Sequence, residues 1–364
     1  MGKLIDTTLR EGEQTPGVCF TLQEKKNIID GLCLIGVDEI EVGIASPLVD
    51  CASHLIEYCR SSHPFVTSSL WSRCKVDDIK YAATIQPDVI SLSIPTSDLL
   101  INDKLGKDRS WVENQLKQCI LLARRLKMKV AVGFEDATRS DANFLKKLAI
   151  RVERFGAERI RVADTIGTST PMQIQSLIQD VSKILTTCSL TIHTHNDFGM
   201  ATANAITALD SGAMKADVTI LGLGERCGCA RLEELAGYLT LQSDANYSLI
   251  NISPLAKYVA RLTHTNISAS RPFLGKDIFT CETGLHLHAL QKNLKTYEPY
   301  PPELLGMSHT LFVGPKAGRR AIAHSHSHFG KGSCKKLSND ETKAIRESLR
   351  KKSLKRCPGP GCVS

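Results

Sequence analysis

Two spacings of apolar residues alternate along most of the chain. Short runs enriched in β-branched residues predict strands over 3–9, 38–44, 65–71, 88–94, 128–134, 159–165, 189–195 and 216–222. Between them, apolar residues three and four apart predict amphipathic helices, among them Leu22 to Leu34, Ser110 to Leu126, Asp141 to Phe155 and Pro171 to Leu185. Gly36, Gly156 and Gly212 stand where helices should stop, the expected use of glycine just past a helix end. Parallel strands need helical crossovers, so eight such units in succession predict a (β/α)₈ barrel. A doubly wound open sheet is the alternative; the even count and regular spacing favour closure. The rhythm stops near residue 245, which predicts a barrel over 1–245 and, over 246–364, a linker and a smaller, mainly helical appendage. Its helical pieces are Pro254 to Thr263, Gly284 to Gln291 and Asn339 to Lys352, and Cys357 to Cys362 reads as a frayed tail.

A barrel of this kind carries its active site at the C-terminal ends of its strands. Polar side chains collect there: Arg10 and Glu11 after the first strand, Arg73 after the third, Glu135 and Asp136 after the fifth, and Thr165 closing the sixth. His193 and His195 close the seventh, and Glu225, Arg226 and Cys229 follow the eighth. Residues two apart on a strand point the same way, so His193 and His195 can offer two imidazoles to one ion. Glu11 can supply an oxygen ligand, with Arg10 a fixed cation beside it. Two histidines and a carboxylate leave coordination positions open, as a catalytic rather than a structural metal site does. Asp6 reads as a structural acceptor. Glu225 and Arg226 can pair to hold the last loop or touch substrate.

Composition excludes other classes. The formal charge of +8 is mild and owes much to the basic run Arg346 to Arg356, while aromatics make up only 5% of residues and are absent from that run. Nucleic-acid binding is therefore not expected. No apolar run is long enough to span a bilayer, so no membrane partner is expected. Thirteen dispersed cysteines without a signal peptide suit a reducing cytoplasm, and Cys227-Gly-Cys229 lacks the second pair of a zinc site and reads as non-structural. The run His324-Ser-His326-Ser-His328 reads as an exposed loop.

The stretches DTTLREGEQTPGV (6–18), SLSIPTSDLLINDKLGKDRSW (91–111), VGFEDATRSD (132–141), VADTIG (162–167), HTHNDFGMATAN (193–204) and GLGER (222–226) resemble one acyltransferase family. FTCETGLH and TYEPYPPELLG, within 279–306, extend the likeness. This is the family of 2-isopropylmalate, citramalate and homocitrate synthases, metal-dependent TIM-barrel enzymes; the chain is most similar to its nitrogen-fixation-type homocitrate synthases. The resemblance implies Arg10 as catalytic cation, Glu11, His193 and His195 as metal ligands, and Gln14 and Thr165 as substrate contacts. It also implies a homodimer in which His286 and Tyr297 reach the neighbouring subunit's site. Three departures stand out: Cys229 replaces the usual Asn of the last loop, Ala131 replaces a strand-five Arg of lysine-pathway enzymes, and Cys281 replaces a His.

The chemistry so implied is a Claisen condensation of acetyl-CoA, the co-substrate, with a 2-oxo acid, most of all 2-oxoglutarate, on a divalent ion (Mg, Mn or Zn). His286 is expected as general acid/base with Tyr297 orienting it, and Glu135 is the alternative carboxylate base. With Ala131 in place of Arg, Arg73 and Arg139 are the candidates for the distal carboxylate of 2-oxoglutarate. Isopropylmalate, citramalate or Re-citrate synthesis, a lyase reaction on a 3-hydroxyacyl-CoA, and a non-catalytic binding role are the competing expectations.

Overall fold

The computed structural model describes residues 2–48, 51–281, 293–308, 310–311 and 338–356. Two compact units divide it, 1–267 and 268–364. In the first, eight parallel strands close in sequence order into a barrel: β1 (Lys3–Asp6), β2 (Glu39–Ile44), β3 (Thr67–Arg73), β4 (Val89–Pro95), β5 (Lys129–Glu135), β6 (Arg159–Asp164), β7 (Ser189–Thr194) and β8 (Lys215–Val218). Around it lie α1 (Leu22–Ile35), α2 (Ala52–Ser62), α3 (Val76–Ile85), α4 (Asp98–Asp103), α5 (Arg109–Arg125), α6 (Ala142–Phe155), α7 (Pro171–Ser182), α8 (Ala201–Asp210) and α9 (Leu232–Gln242). The closed eightfold barrel is the architecture the spacing predicts, and an open sheet is ruled out by the pairing of β1 with β8.

The helices begin and end where local chemistry dictates. Thr21 and Thr170 each form a reciprocal capping box, with Glu24 and Gln173 respectively, and Asp108 and Asp141 cap α5 and α6. Gly36 and Gly156 close α1 and α6 in the left-handed region, at φ 90° and 100°.

Two strands are shorter than the sequence suggests. β1 stops at Asp6 because the Thr7 carbonyl accepts from the backbone N–H groups of Arg10, Glu11 and Gly12, turning the chain sharply. β8 stops at Val218 and gives way to a 3₁₀ turn over Ile220–Gly222, with Leu221 at φ 62°. The first unit also runs past the expected boundary at 245. Helix α10 (Ile252–Leu262) packs on α1, and a side chain at Gly31 would stand 2.6 Å from Leu255. Burial of Ile252, Leu255, Ala256 and Val259 adds this helix to the barrel's wall.

The strands face two different environments. Ile40, Val42, Leu70, Ile90, Leu92, Val130, Val132, Ile160, Val162, Leu190 and Ile192 are fully or almost fully buried, on the side the helices cover. Alternate positions carry Glu39 and Glu41, Ser69, Ser91, Arg159 and Arg161, Thr191 and His193, Lys215 and Asp217, also buried or nearly so. A period of two with apolar and polar sides is expected when one face of each strand meets helices and the other lines a polar interior. Those charges are paired: Glu39 binds Arg159 (2.6 and 2.7 Å) and Lys215 (2.7 Å). Higher up, Arg161 bridges Glu41 (2.9 Å) and Asp217 (2.8 Å).

In the second unit a short parallel pair, β9 (Thr280–Cys281) and β10 (Thr310–Leu311), accompanies a cluster in which Tyr300 stacks on Phe273 at 4.9 Å. Helix α11 (Asn339–Arg356) follows. The helix expected over 284–291, His286, His288 and the 324–328 histidines lie outside the described residues.

Candidate metal centre and active site

The turn after β1 positions the first two functional side chains. Asp6, fully buried, accepts from the Thr8 backbone N–H (2.9 Å) and hydroxyl (3.0 Å), and Thr8 Oγ1 accepts from Ile220 N (2.9 Å). The turn is thus tied both to β1 and to the segment after β8. Burial, against the two Thr8 hydrogen bonds, pushes the Asp6 carboxyl up to about 7, and its place beneath the turn is the structural one expected. Arg10 emerges nearly buried, its Nε donating to Glu41 (2.7 Å) and its Nη1 to Glu11. It is locked as a cation between two carboxylates.

Glu11 faces the two histidines that β7 presents. His193 and His195 bring their Nε2 atoms to 3.3 Å of one another, and His193 Nε2 lies 3.9 Å from Glu11. Asp217 Oδ2 sits 2.9 Å from His193 Nδ1, which fixes the ring and leaves Nε2 facing Glu11. Such a carboxylate–histidine pair is the usual support of a metal ligand. Gln14, with its amide nitrogen toward Glu11, donates to both carboxylate oxygens (3.0 and 2.8 Å). Burial raises the Glu11 carboxyl, but Arg10, then His193 and His195, outweigh it and bring it down to about 2. Burial and the neighbouring His193 take His195 down to about 3, so it is a neutral nitrogen donor at neutral pH.

Glu11, His193, His195 and Cys229 offer ligand atoms that all lie within 4.8 Å of one another, and all four are buried. The residues present therefore fit a divalent ion: nitrogen and carboxylate donors converge in a buried site, with one ionised ligand. Cys229 reaches this cluster because its backbone bridges that of His195. Cys227, by contrast, is exposed. The Cys-Gly-Cys stretch, which reads as non-structural, thus delivers one thiol to the cluster. Burial, with Glu11 nearby, pushes that thiol well above the ordinary range.

The cluster opens into a cleft of about 700 Å³ lined by Arg10, Glu11, Gln14, Arg73, Glu135, Thr165, both histidines and Glu225, among others. Seven of the residues singled out in the sequence thus share one cavity with Arg73 and Glu225 at its sides. Arg73 is half-exposed and chelates Asp78 (2.7 and 2.9 Å). Glu135 pairs with Lys104 (2.6 Å). Thr165 Oγ1 accepts from Asp136 N (2.8 Å). Arg139 does not join them: it binds Asp136 (2.7 to 3.0 Å), away from the lining. Arg226 binds Asp197 (2.9 and 3.0 Å) and the Thr165 carbonyl (2.7 Å), joining the loops after β6, β7 and β8; its approach to Glu225 is longer, at 3.3 Å. Tyr297 is half-exposed in the second unit.

Sequence reasoning missed Glu41, Arg161, Asp217 and the rim lysines Lys75 and Lys104. The first three carried a usable signal, since Glu-x-Glu in β2, Arg-x-Arg in β6 and Lys-x-Asp in β8 repeat at the strand period.

Comparison with known proteins agrees with this geometry. Residues 2–259 match the family described as HMGL-like, and residues 273–356 match the homocitrate synthase post-HMGL domain-like family. The chain is 36% identical to a homocitrate synthase of Frankia alni, covering 90% of this chain and 93% of the relative. It is 33% identical to 2-isopropylmalate synthase 2 of Caldanaerobacter subterraneus, covering 96% and 90%. Against the (R)-citramalate synthase CimA of Methanocaldococcus jannaschii it is 35% identical over 89% and 66%. Among solved structures, the HMG-CoA lyase of Brucella melitensis superposes with a TM-score of 0.64 at 17% identity, over 72% of this chain and 99% of that one, which establishes the shared barrel. The chain belongs to the HMGL-like family of metal-dependent TIM-barrel enzymes. Within it, the chain belongs with the homocitrate, isopropylmalate and citramalate synthases, acyl-CoA-dependent condensing enzymes. No helix among the described residues is long and apolar enough to cross a membrane.

Proposed function

We propose that this protein condenses acetyl-CoA with 2-oxoglutarate, consuming water and yielding homocitrate and CoA. The observation that carries the reading is the convergence of Glu11, His193 and His195 beside a buried, doubly paired Arg10 at the floor of a cation-rimmed cleft. Those three side chains would hold the ion, which when bound supplies Lewis acidity toward a carbonyl oxygen. Arg10 is pre-oriented by Glu41 and Glu11, so its guanidinium stabilises negative charge developing on that oxygen without reorganising. Such a donor is commonly worth about 3–4 kcal/mol in the transition state.

The acetyl methyl proton goes to a base, the new carbon–carbon bond forms at the former keto carbon, and water then cleaves the thioester. Glu135, at the side of the cleft, and His286 are the two candidate bases; the second unit of another copy would supply His286 and Tyr297. Gln14 and Thr165 line the cleft and would orient the 2-oxo acid. Arg73 and Lys75 line the same cleft and give the distal carboxylate of 2-oxoglutarate a cation. The named relatives that make isopropylmalate or citramalate support a second reading, in which another 2-oxo acid takes that place.

Release of CoA, followed with a thiol reagent over a panel of 2-oxo acids, tests the proposal. 2-Oxoglutarate should give the highest kcat/KM. A preference for pyruvate or 2-oxoisovalerate would replace the substrate, and no release with any acid would end the reading.

A further inference from the structure

The thiol of Cys229 stands inside the donor cluster. Three observations place it there independently of one another. Its backbone forms an isolated antiparallel bridge with that of His195, so the two residues stand directly opposite one another. Its Sγ lies 3.8 Å from His195 Nδ1 and is 3% exposed. Finally, Gly224 makes room for it: a Cβ at that residue would stand 3.0 Å from Cys229 Sγ and 3.3 Å from Glu11 Oε1. The missing side chain thus leaves room for the sulfur and the carboxylate oxygen, and one donor atom of each lies within 4.8 Å of a nitrogen of each imidazole.

We propose that Cys229 is the fourth protein ligand of the ion, giving a site of two imidazoles, one carboxylate and one thiolate. On binding, the Sγ–H bond breaks, the proton passes to solvent and the sulfur lone pair forms the bond to the metal; no electron is exchanged. A soft sulfur donor beside two nitrogens turns preference from Mg(II) and Mn(II), which favour oxygen, toward Zn(II) and Co(II). The inference takes its other three ligands from the proposed function.

Cobalt reports sulfur ligation directly. Metal-free protein titrated with Co(II) should develop an intense near-ultraviolet sulfur-to-cobalt charge-transfer band that saturates at one equivalent. Cys229→Ser and Cys229→Asn should bind Co(II) without that band. Their Zn(II) affinity should fall by more than roughly 100-fold, beyond the cost of losing an outer-shell partner. A band that is missing from the wild type, or that persists in both variants, overturns the proposal. X-ray absorption of the zinc-loaded wild type decides the matter even if the variants misfold. One sulfur scatterer at about 2.3 Å supports it, and a shell of nitrogen and oxygen alone refutes it. Neither spectrum needs a substrate, so an inactive 2-oxo-acid panel would defeat the proposed reaction while leaving this ligand assignment standing.

Discussion

Asp217→Asn tests whether the buried ion pairs of the barrel interior hold His193, a proposed metal ligand, in place. Asp217 is 1% exposed and touches both Arg161 (2.8 Å) and His193 Nδ1 (2.9 Å). Burial raises its carboxyl, but Arg161 and His193 outweigh that and hold it below the ordinary range. Asparagine keeps the shape and one acceptor oxygen while removing the charge. Breaking a buried pair outright costs about 3–5 kcal/mol. Here Arg161 retains Glu41 at 2.9 Å, so we expect the lower end, about 3 kcal/mol. At about 2 °C per kcal/mol for a unit of this size, the metal-free protein should melt roughly 6 °C lower.

A separate loss should appear in metal binding, because the imidazole loses the carboxylate that orients it. Roughly 10–100-fold weaker affinity is the usual consequence, or about 1.4–2.8 kcal/mol. Differential scanning calorimetry of the metal-free protein reads the first quantity, and a Mn(II) titration followed by electron paramagnetic resonance reads the second. If the melting temperature falls while affinity stays within about twofold of wild type, Asp217 supports the fold without orienting His193, and the reasoning fails.

Three further outcomes follow from the same contacts. Arg10→Lys keeps the charge but loses the fork that spans Glu41 and Glu11; kcat should drop by about 10²–10³ with KM for the 2-oxo acid little changed, and a proportional rise in KM instead would assign Arg10 to ground-state binding. Gly224→Ala pushes a methyl group against Cys229 Sγ and Glu11, so equilibrium dialysis should show weaker Zn(II) binding; unchanged binding would show that the loop shifts at no cost. Glu153, at the end of α6, accepts from the backbone N–H groups of Thr186, Thr187 and Cys188 (2.7 to 2.8 Å), which bring its carboxyl, despite burial, from an ordinary 4.5 to about 2. A lowered folded pKa means stability present above 4.5 and lost as pH falls toward 2, so Glu153→Gln should melt below wild type at pH 7 and the gap should close in acid, whereas a constant gap would contradict the assignment.

The barrel and the convergence of Glu11, His193 and His195 were legible because each rests on local pattern. Eight strand–helix alternations specify closure, and His193 and His195 share a strand face by spacing alone. Arg10 and Glu11 were visible as a charged pair at a strand end. What escaped depends on contacts distant in sequence. The extension to Ile267 rests on α10 meeting α1 across more than two hundred residues, and nothing local to 246–267 signals it. Arg139 follows β5 much as Arg73 ends β3, yet a carboxylate three residues before it holds its side chain, and it does not line the cleft. Cys229 has no ligand-like spacing and stood out only through the resemblance, as the replacement of an Asn that can approach the ion; the turn over Ile220–Gly222 and the backbone bridge to His195 carry it to the cluster. Glu41, Arg161 and Asp217 come from three strands, and their mutual pairing exists only once the sheet has closed.

The interior in which Glu11, Glu39, Glu41 and Asp217 face Arg10, Arg159, Arg161 and Lys215 divides the molecule by how freely it can change. These acids and bases share partners and are mostly out of reach of water, so replacing one weakens the pairing of its neighbours. Single-step drift is therefore costly inside the barrel, and compensating pairs are the easier route of adaptation there. The rim is under no such restraint: Arg73 and Lys104 each lean on one partner at the solvent boundary and can be exchanged alone. New substrate preferences should accordingly arise by one-residue changes around the opening, above a charged floor that changes far less readily.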